Sequence, residues 1–152
     1  MNNNFNKLDR IFIIRMRRWG IPILRISLGV VFLWFGLLKI FDVTPVGAII
    51  AGTYSFFPQR EFLLVLGIWE SLIGIGLIFK LFLRATLALL WIQMLGTIVA
   101  PLLSPGMFFQ NWNPLLLTVE GEFVVKNMVL IAAGLVIGGH EVSPIADHEK
   151  SI

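Results

Sequence analysis

The residues of this chain that could do chemistry are polar side chains set inside long apolar stretches. Glu70 lies in the middle of the stretch 62–79 (FLLVLGIWESLIGIGLIF). A charged side chain inside a membrane-crossing helix is costly and faces protein or water, so each one is a functional-site hypothesis. The candidate set that follows has six members: Lys39, Glu70, Gln93, Glu122, Lys126 and Asn127.

These side chains predict proton transfer and the recognition of an anion or a carbonyl oxygen. Glu70 is the candidate catalytic residue, because a positioned carboxylate can accept or donate a proton. Lys39 or Lys126 would bind the anion or carbonyl oxygen, and the other three members complete a cofactor-binding set. Structural alternatives stay open. Glu70 could be half of a buried ion pair, Gln93 could form a hydrogen bond between helices, and the Lys39 side chain could only extend to the membrane interface.

Composition indicates which elements must position these residues. The chain has 152 residues, of which 57% are hydrophobic and 14% charged, and its mean hydropathy is +0.87. A soluble domain is expected to be about 25% charged, so the composition favours a membrane protein. There is room for about four spans, given a hydrocarbon core about 30 Å thick. We therefore predict an all-α fold, a polytopic membrane four-helix bundle.

The same composition excludes several classes of site. The chain has no cysteine, which removes thiol nucleophiles and thiolate metal centres. Its two histidines, His140 and His148, both lie in the polar tail. We therefore predict no metal site within the membrane. The basic residues lie largely near the N-terminus, where they are typical of membrane topology signals. The chain has no polar basic domain that could bind a nucleic-acid groove, so we expect no nucleic-acid partner.

Three regions are predicted along the chain. Residues 1–20 form a basic amphipathic segment, which either lies on an anionic leaflet or only supplies topogenic charge. Residues 21–139 form the four-span domain, with Pro22 in the first helical turn, and residues 140–152 form a polar cytoplasmic tail. The apolar piece within 45–58 is too short to span, so it is re-entrant or interfacial. The predicted spans are 21–41, 62–79, 85–103 and 120–139.

Helical spacing gathers the polar and small residues of each span on one stripe. The spacing of Glu122 and Lys126 allows them to pair on span 4, and Thr118 is a plausible N-cap for that helix. If the stripes converge, they line a polar pocket in the periplasmic half. The stripes are Arg25, Gly29, Phe32, Gly36 and Lys39 on span 1; Gly67, Glu70, Ser71 and Gly74 on span 2; and Thr86, Gln93, Thr97 and Ala100 on span 3.

Orientation follows from the distribution of lysine and arginine. With the N-terminus inside, nine basic residues lie on the inner side and three, Lys39, Arg60 and Lys126, on the outer side. Loops rich in Lys and Arg stay cytoplasmic. We therefore expect a multi-pass protein of the bacterial inner membrane with both termini cytoplasmic.

Three segments carry a family resemblance: RISLGVVFLWFGLLKIF, LGIWESLIGIGLIF and GEFVVKNMVLIAAGLVIGG. They resemble the DoxX-like four-helix membrane proteins over about residues 8–139. The combination of LGIWE with EGEFVVKN is closest to the YkgB branch, which includes a reactive-chlorine-resistance inner-membrane protein. The wider family is similar to the small subunit of thiosulfate:quinone oxidoreductase. The resemblance implies a role in oxidant defence or quinone-linked redox chemistry, and it transfers a fold more securely than a mechanism.

Three functions from different classes stay open at this point. The first is a membrane component of a redox or oxidant-defence system, which would hold a quinone and need an external electron carrier because the chain has no cysteine. Whether such a component is itself an enzyme is left open. The second is a transporter of a small solute or lipid, or its accessory subunit, for which a homodimer is expected. The third is a structural scaffold in which the charges only lock helices together.

Overall fold

The backbone is almost entirely helical. The computed structural model describes residues 3–54 and 58–142, with side chains from residue 8 onward apart from residues 48 and 51. Among these residues there is no strand beyond one isolated bridge, so the predicted all-α fold is confirmed. The helices are α1 (Asn3–Ile40), α2 (Gly47–Thr53), α3 (Gln59–Phe79), α4 (Leu83–Leu103), α5 (Pro105–Phe108) and α6 (Val119–Glu141), with a 3-10 turn at Gln110–Trp112.

Four helices are long and apolar enough to cross a membrane: α1 from Leu8 onward, α3, α4 and α6. The chain is therefore a multi-pass membrane protein, as predicted. The predicted spans 62–79, 85–103 and 120–139 match α3, α4 and α6 to within three residues at each end. The predicted tail begins two residues inside α6, and its part from residue 143 lies outside the described residues.

The first helix differs from its prediction. α1 begins at Asn3 and passes through Pro22 without interruption, so the expectation that Pro22 opens the helix is wrong. Proline removes one amide donor and crowds the carbonyl four residues before it, here that of Arg18. The helix tolerates this loss because leucine and arginine, which are good helix formers, recur on both sides of Pro22.

Close glycine contacts join α1 and α3, which form the most extensive helix–helix interface of the bundle. A β-carbon built on Gly36 would lie 2.6 Å from the carbonyl oxygen of Gly67, and one on Gly29 would lie 2.9 Å from that of Gly74. The glycines of each helix are seven residues apart and pair in opposite order, as antiparallel helices require. The predicted small-residue stripes therefore do meet, and they bring the two backbones together.

The apolar core occupies one half of the bundle. We name the two ends after the α1 residues that mark them, the Arg25 end and the Lys39 end. The half toward the Arg25 end is filled by ten buried side chains from the four long helices: Leu28, Phe32, Ile73, Leu77, Leu83, Leu87, Leu90, Met94, Ala133 and Ile137. These side chains pack the four long helices together, and so they set the helix positions for the other half.

The Lys39 end is covered by the two short helices. Phe108 of α5 is fully buried, and the Thr118 hydroxyl donates to the carbonyl oxygen of Met107 at 2.7 Å. Thr118 also caps α6 as predicted, accepting from the Gly121 amide at 3.1 Å. The Ser104 hydroxyl donates to the Gly52 carbonyl at 3.4 Å, linking the connection between α4 and α5 to α2. The apolar piece within 45–58 is thus a short helix at this end, and residues 55–57 of it lie outside the described residues.

Candidate functional site

A hydrogen-bonded network joins three helices beneath the Lys39 end. Lys39 Nζ of α1 donates to Glu70 Oε2 of α3 at 2.6 Å. Gln93 Nε2 of α4 donates to the other carboxylate oxygen, Oε1, at 2.8 Å. Three of the six predicted site residues therefore meet, and both oxygens of Glu70 have a donor from a different helix.

The network is buried. The Lys39 and Glu70 side chains are 7% and 9% exposed. The alternative in which Lys39 only extends to the interface is wrong, because its ammonium group instead turns inward to the Glu70 carboxylate. Such a pair is retained only when it is well hydrogen-bonded, since each charge is costly to desolvate. The added bond from Gln93 meets that condition.

A cavity of about 420 Å³ lies above this network, toward the Lys39 end. Apolar side chains make up most of its wall, including Phe32, Phe35, Phe62 and Phe123. Its polar lining consists of nine side chains: Lys39, Thr44, Thr53, Tyr54, Glu70, Gln93, Thr97, Glu120 and Asn127. A mostly apolar cavity with a few convergent polar groups is the usual form of a small-molecule site.

The remaining predicted residues separate on α6. Asn127 lines the cavity. Glu122 and Lys126 pair with each other at 3.3 Å, as their spacing predicted, but the two side chains are 60% and 72% exposed and outside the cavity lining. The structure therefore does not bring these two to the network, and their predicted role in binding stays a prediction.

Glu120 was not predicted as a site residue, yet it lines the cavity. Its position in the first turn of α6 already accounts for an acidic residue there, since acids are favoured at a helix N-terminus. The helical spacing could nonetheless have indicated Glu120. It lies seven residues before Asn127, and Val124 lies between them on the same face of the helix. Glu122 and Lys126 belong to a different face of this helix.

Tyr54 was also missed, and it lines the cavity between α2 and α4. Its hydroxyl donates to the carbonyl oxygen of Gly96 at 2.9 Å, and its ring packs against Phe62. Burial raises the pKa of the Tyr54 hydroxyl, so the group stays protonated and remains a donor. No periodic pattern in the short segment around Tyr54 pointed to it.

The opposite end carries a second charged cluster that holds helices together. Arg25 is buried, and its Nη1 donates to the carbonyl oxygens of Leu77 and Ile78 at the end of α3. Its Nε lies 3.0 Å from Glu141 Oε2 of α6, close enough for an ion pair but not aligned as a hydrogen bond. Lys80 reaches the same carboxylate at 3.3 Å. Arg25 therefore joins three helices.

This geometry can hold an apolar molecule whose polar group reaches the Lys39–Glu70–Gln93 network. The ammonium group of Lys39 is a hydrogen-bond donor, and the Glu70 carboxylate is an acceptor in its ionised form. Because each is already bonded, an entering polar group must compete with a bond inside the network. The site could thus bind a carbonyl or hydroxyl group and pass a proton to or from it.

Comparison with known proteins gave a match to one protein family and to no individual protein. The DoxX family profile matches residues 20–101, which is more than half of the chain. That range includes α3, all but the last two residues of α4, and α1 from Gly20 onward, with all three residues of the network. No curated protein and no solved structure matches the chain significantly. The chain belongs to the DoxX family.

Proposed function

We propose that this protein is the membrane component of a quinone-linked redox or oxidant-defence system, and that it binds a quinone in the cavity at the Lys39 end. The observation that carries the proposal is a mostly apolar cavity of about 420 Å³ with a buried Lys39–Glu70–Gln93 network as its floor. A quinone has the matching form, with a flat apolar ring and carbonyl oxygens at its edge.

The proposed roles follow from the atoms of the network. Lys39 Nζ would donate to a quinone carbonyl oxygen, and Glu70 would exchange a proton with it. Reduction of a quinone to a quinol consumes electrons and protons in equal number. The chain has no cysteine, so the electrons would come from a partner protein, soluble or membrane-bound. Asn127 and Glu120 would contact the part of the ligand farther from the floor.

Two finer assignments belong to the same proposal. The segments LGIWE and EGEFVVKN support placing the chain in the YkgB-like branch, with resistance to reactive chlorine as its cellular role. The excess of basic residues near the N-terminus supports a bacterial inner membrane with the Arg25 end facing the cytoplasm. The cavity would then open toward the periplasmic half.

A structural scaffold is the competing function, and one observation favours it. Lys39, Glu70 and Gln93 satisfy one another within the network, so they connect α1, α3 and α4 without any ligand. Under that reading the cavity has no occupant, and the chain serves only to hold a larger assembly.

A cavity-filling variant separates the two functions. Ala100 is buried on α4 and lines the cavity, so Ala100→Leu places added carbon atoms where a quinone ring would lie. Ala85 is on the same helix and exposed, so Ala85→Leu is the matched control. Both variants and the native protein would be purified, checked for monodispersity, and titrated with a ubiquinone analogue carrying a decyl tail.

We expect saturable binding by the native protein and by Ala85→Leu, and at least about tenfold weaker binding by Ala100→Leu, which corresponds to about 1.4 kcal/mol. Native mass spectrometry of gently extracted protein should show quinone bound to the native chain. Absence of binding to all three proteins, with no co-purified quinone, would reject the proposal and leave the scaffold.

A further inference from the structure

α1 extends far beyond the bundle that it enters. At 1.5 Å per residue its 38 residues span roughly 57 Å, whereas the 21 residues of α3 span roughly 32 Å. Arg25 contacts the last turns of α3 and α6, so the bundle ends at its level. Residues 21–40 alone are long enough to cross a hydrocarbon core of about 30 Å. The preceding part of α1 is therefore not needed to cross it.

This projecting part has an apolar surface that nothing in the described chain covers. Every residue of 8–20 is exposed. Seven large apolar side chains are among them, with exposed fractions between 37% and 68%: Leu8, Ile11, Phe12, Ile13, Ile14, Met16 and Trp19. A helix with this surface is unfavourable in water and favourable in a headgroup layer, where apolar side chains enter the acyl boundary.

The charge of residues 8–20 indicates what kind of surface this segment binds. The segment 8–20 holds four arginines, at positions 10, 15, 17 and 18, and a single acid, Asp9. None of the four has an ion pair or hydrogen bond from its side chain within the described residues. An anionic leaflet attracts such a segment, whereas a second copy of it would bring eight arginines together. Lipid headgroups are therefore favoured over self-association.

The chain can bend where this segment joins the bundle. Gly20 has open space around it, since an added β-carbon there would meet nothing within 4 Å. Pro22 lacks the amide that would bond back to Arg18, and proline is a common origin of helix kinks. Trp19, with the Arg18 guanidinium 6.0 Å from its ring centre, lies at this junction and suits the membrane interface.

We propose that residues 8–19 form an arm that binds the anionic phospholipid headgroups of the leaflet at the Arg25 end, bending from the bundle at Gly20–Pro22. The arm holds its apolar side chains in the acyl boundary and its arginines on lipid phosphates. This inference is independent of the quinone proposal, because it uses none of the residues of the cavity.

The chain has no cysteine, so a single label can be placed on the full-length protein. Phe12→Cys would carry an environment-sensitive dye, and Leu115→Cys, which is 88% exposed at the opposite end, is the control. Both proteins would be placed in nanodiscs of phosphatidylcholine alone or mixed with phosphatidylglycerol. In the mixed discs we expect a blue-shifted dye at position 12 that acrylamide no longer quenches, and no such change at position 115.

Two further variants test the cause. Replacing the four arginines by glutamine should lower the ratio of bound to free arm by roughly fivefold per arginine, and high salt should act in the same direction. Pro22→Ala restores the missing amide and should reduce protection of the dye, and unchanged protection would remove the hinge from the proposal. Identical spectra in both lipid mixtures would overturn it in favour of apolar insertion, and protection that disappears when each nanodisc holds a single chain would overturn it in favour of self-association.

Discussion

Replacing Glu70 by glutamine removes the negative charge from the Lys39–Glu70–Gln93 network while keeping the shape of the side chain. Lys39 Nζ lies 2.6 Å from Glu70 Oε2, and the side chains are 7% and 9% exposed, so solvent screens them little. Breaking a buried pair from one side costs about 3–5 kcal/mol, because the remaining charge is left uncompensated. We expect Glu70→Gln to destabilise the folded protein by an amount in this range.

The measurement is the unfolding free energy of the purified protein in mixed micelles. A second substitution, Lys39→Met, removes the stranded charge, so the double variant should return to within about 1 kcal/mol of the native protein. The matched control is Glu122→Gln, which breaks the exposed Glu122–Lys126 pair. Ion pairs between residues four apart on a helix surface contribute about 0.3–0.5 kcal/mol. A loss of stability equal to that of the control would refute the argument from burial.

The same variants separate a structural from a functional role in cells. Depletion of Glu70→Gln from the membrane, restored by Lys39→Met, would mark the pair as structural. Normal abundance with loss of the proposed resistance to reactive chlorine would mark Glu70 as a functional residue, because glutamine cannot exchange a proton as a carboxylate does. Normal abundance with full resistance would remove Glu70 from the site.

Three further predictions concern packing, capping and topology. Gly36→Leu should sharply reduce the folded, monodisperse fraction because its β-carbon meets the α3 backbone, whereas Gly139→Leu, with nothing within 4 Å, should not; equal yields would contradict the close contact. Thr118→Ala should cost about 1 kcal/mol of unfolding free energy through its lost cap, and Thr118→Ser should retain most of it. Reporter fusions after Lys80 and Ile152 should read cytoplasmic and one after Gly106 periplasmic; a periplasmic C-terminus would reverse the proposed orientation.

The spans and the main helix contact could be predicted because they depend on quantities that a sequence contains. A membrane span needs a certain length of apolar residues, and α3, α4 and α6 satisfy it with few charges. Glycines repeated on one stripe allow close approach, and Gly36 and Gly74 do contact the opposite backbone. The pairing of Lys39 with Glu70 followed as one alternative, because a buried charge needs a partner.

Helix rotation could not be predicted in the same way. Apolar residues face both the lipid and the bundle interior, so periodicity relates residues within one helix without saying which face turns inward. Glu122 and Lys126 were placed at the pocket, and Glu120 was not, although Glu120 lies on the inward face. Ile78 lies beside the fully buried Leu77 and is itself half-buried, and its Cγ1 would lie 2.8 Å from a β-carbon on Gly29.

The contrast between the two halves of the bundle has a consequence for stability. The half at the Arg25 end is filled by the apolar core, and the Arg25–Glu141 contact joins α1 to α6 there. This packing can fix the helix positions while the other half contains a cavity of about 420 Å³. An empty cavity forfeits packing contacts, and filling one commonly stabilises a protein at the expense of function. We therefore expect Ala100→Leu to raise the unfolding free energy by about 1 kcal/mol while it weakens quinone binding, with Ala85→Leu changing neither. Lower stability together with unchanged binding would show that the wall at Ala100 is packed, and that the space available to a ligand lies elsewhere.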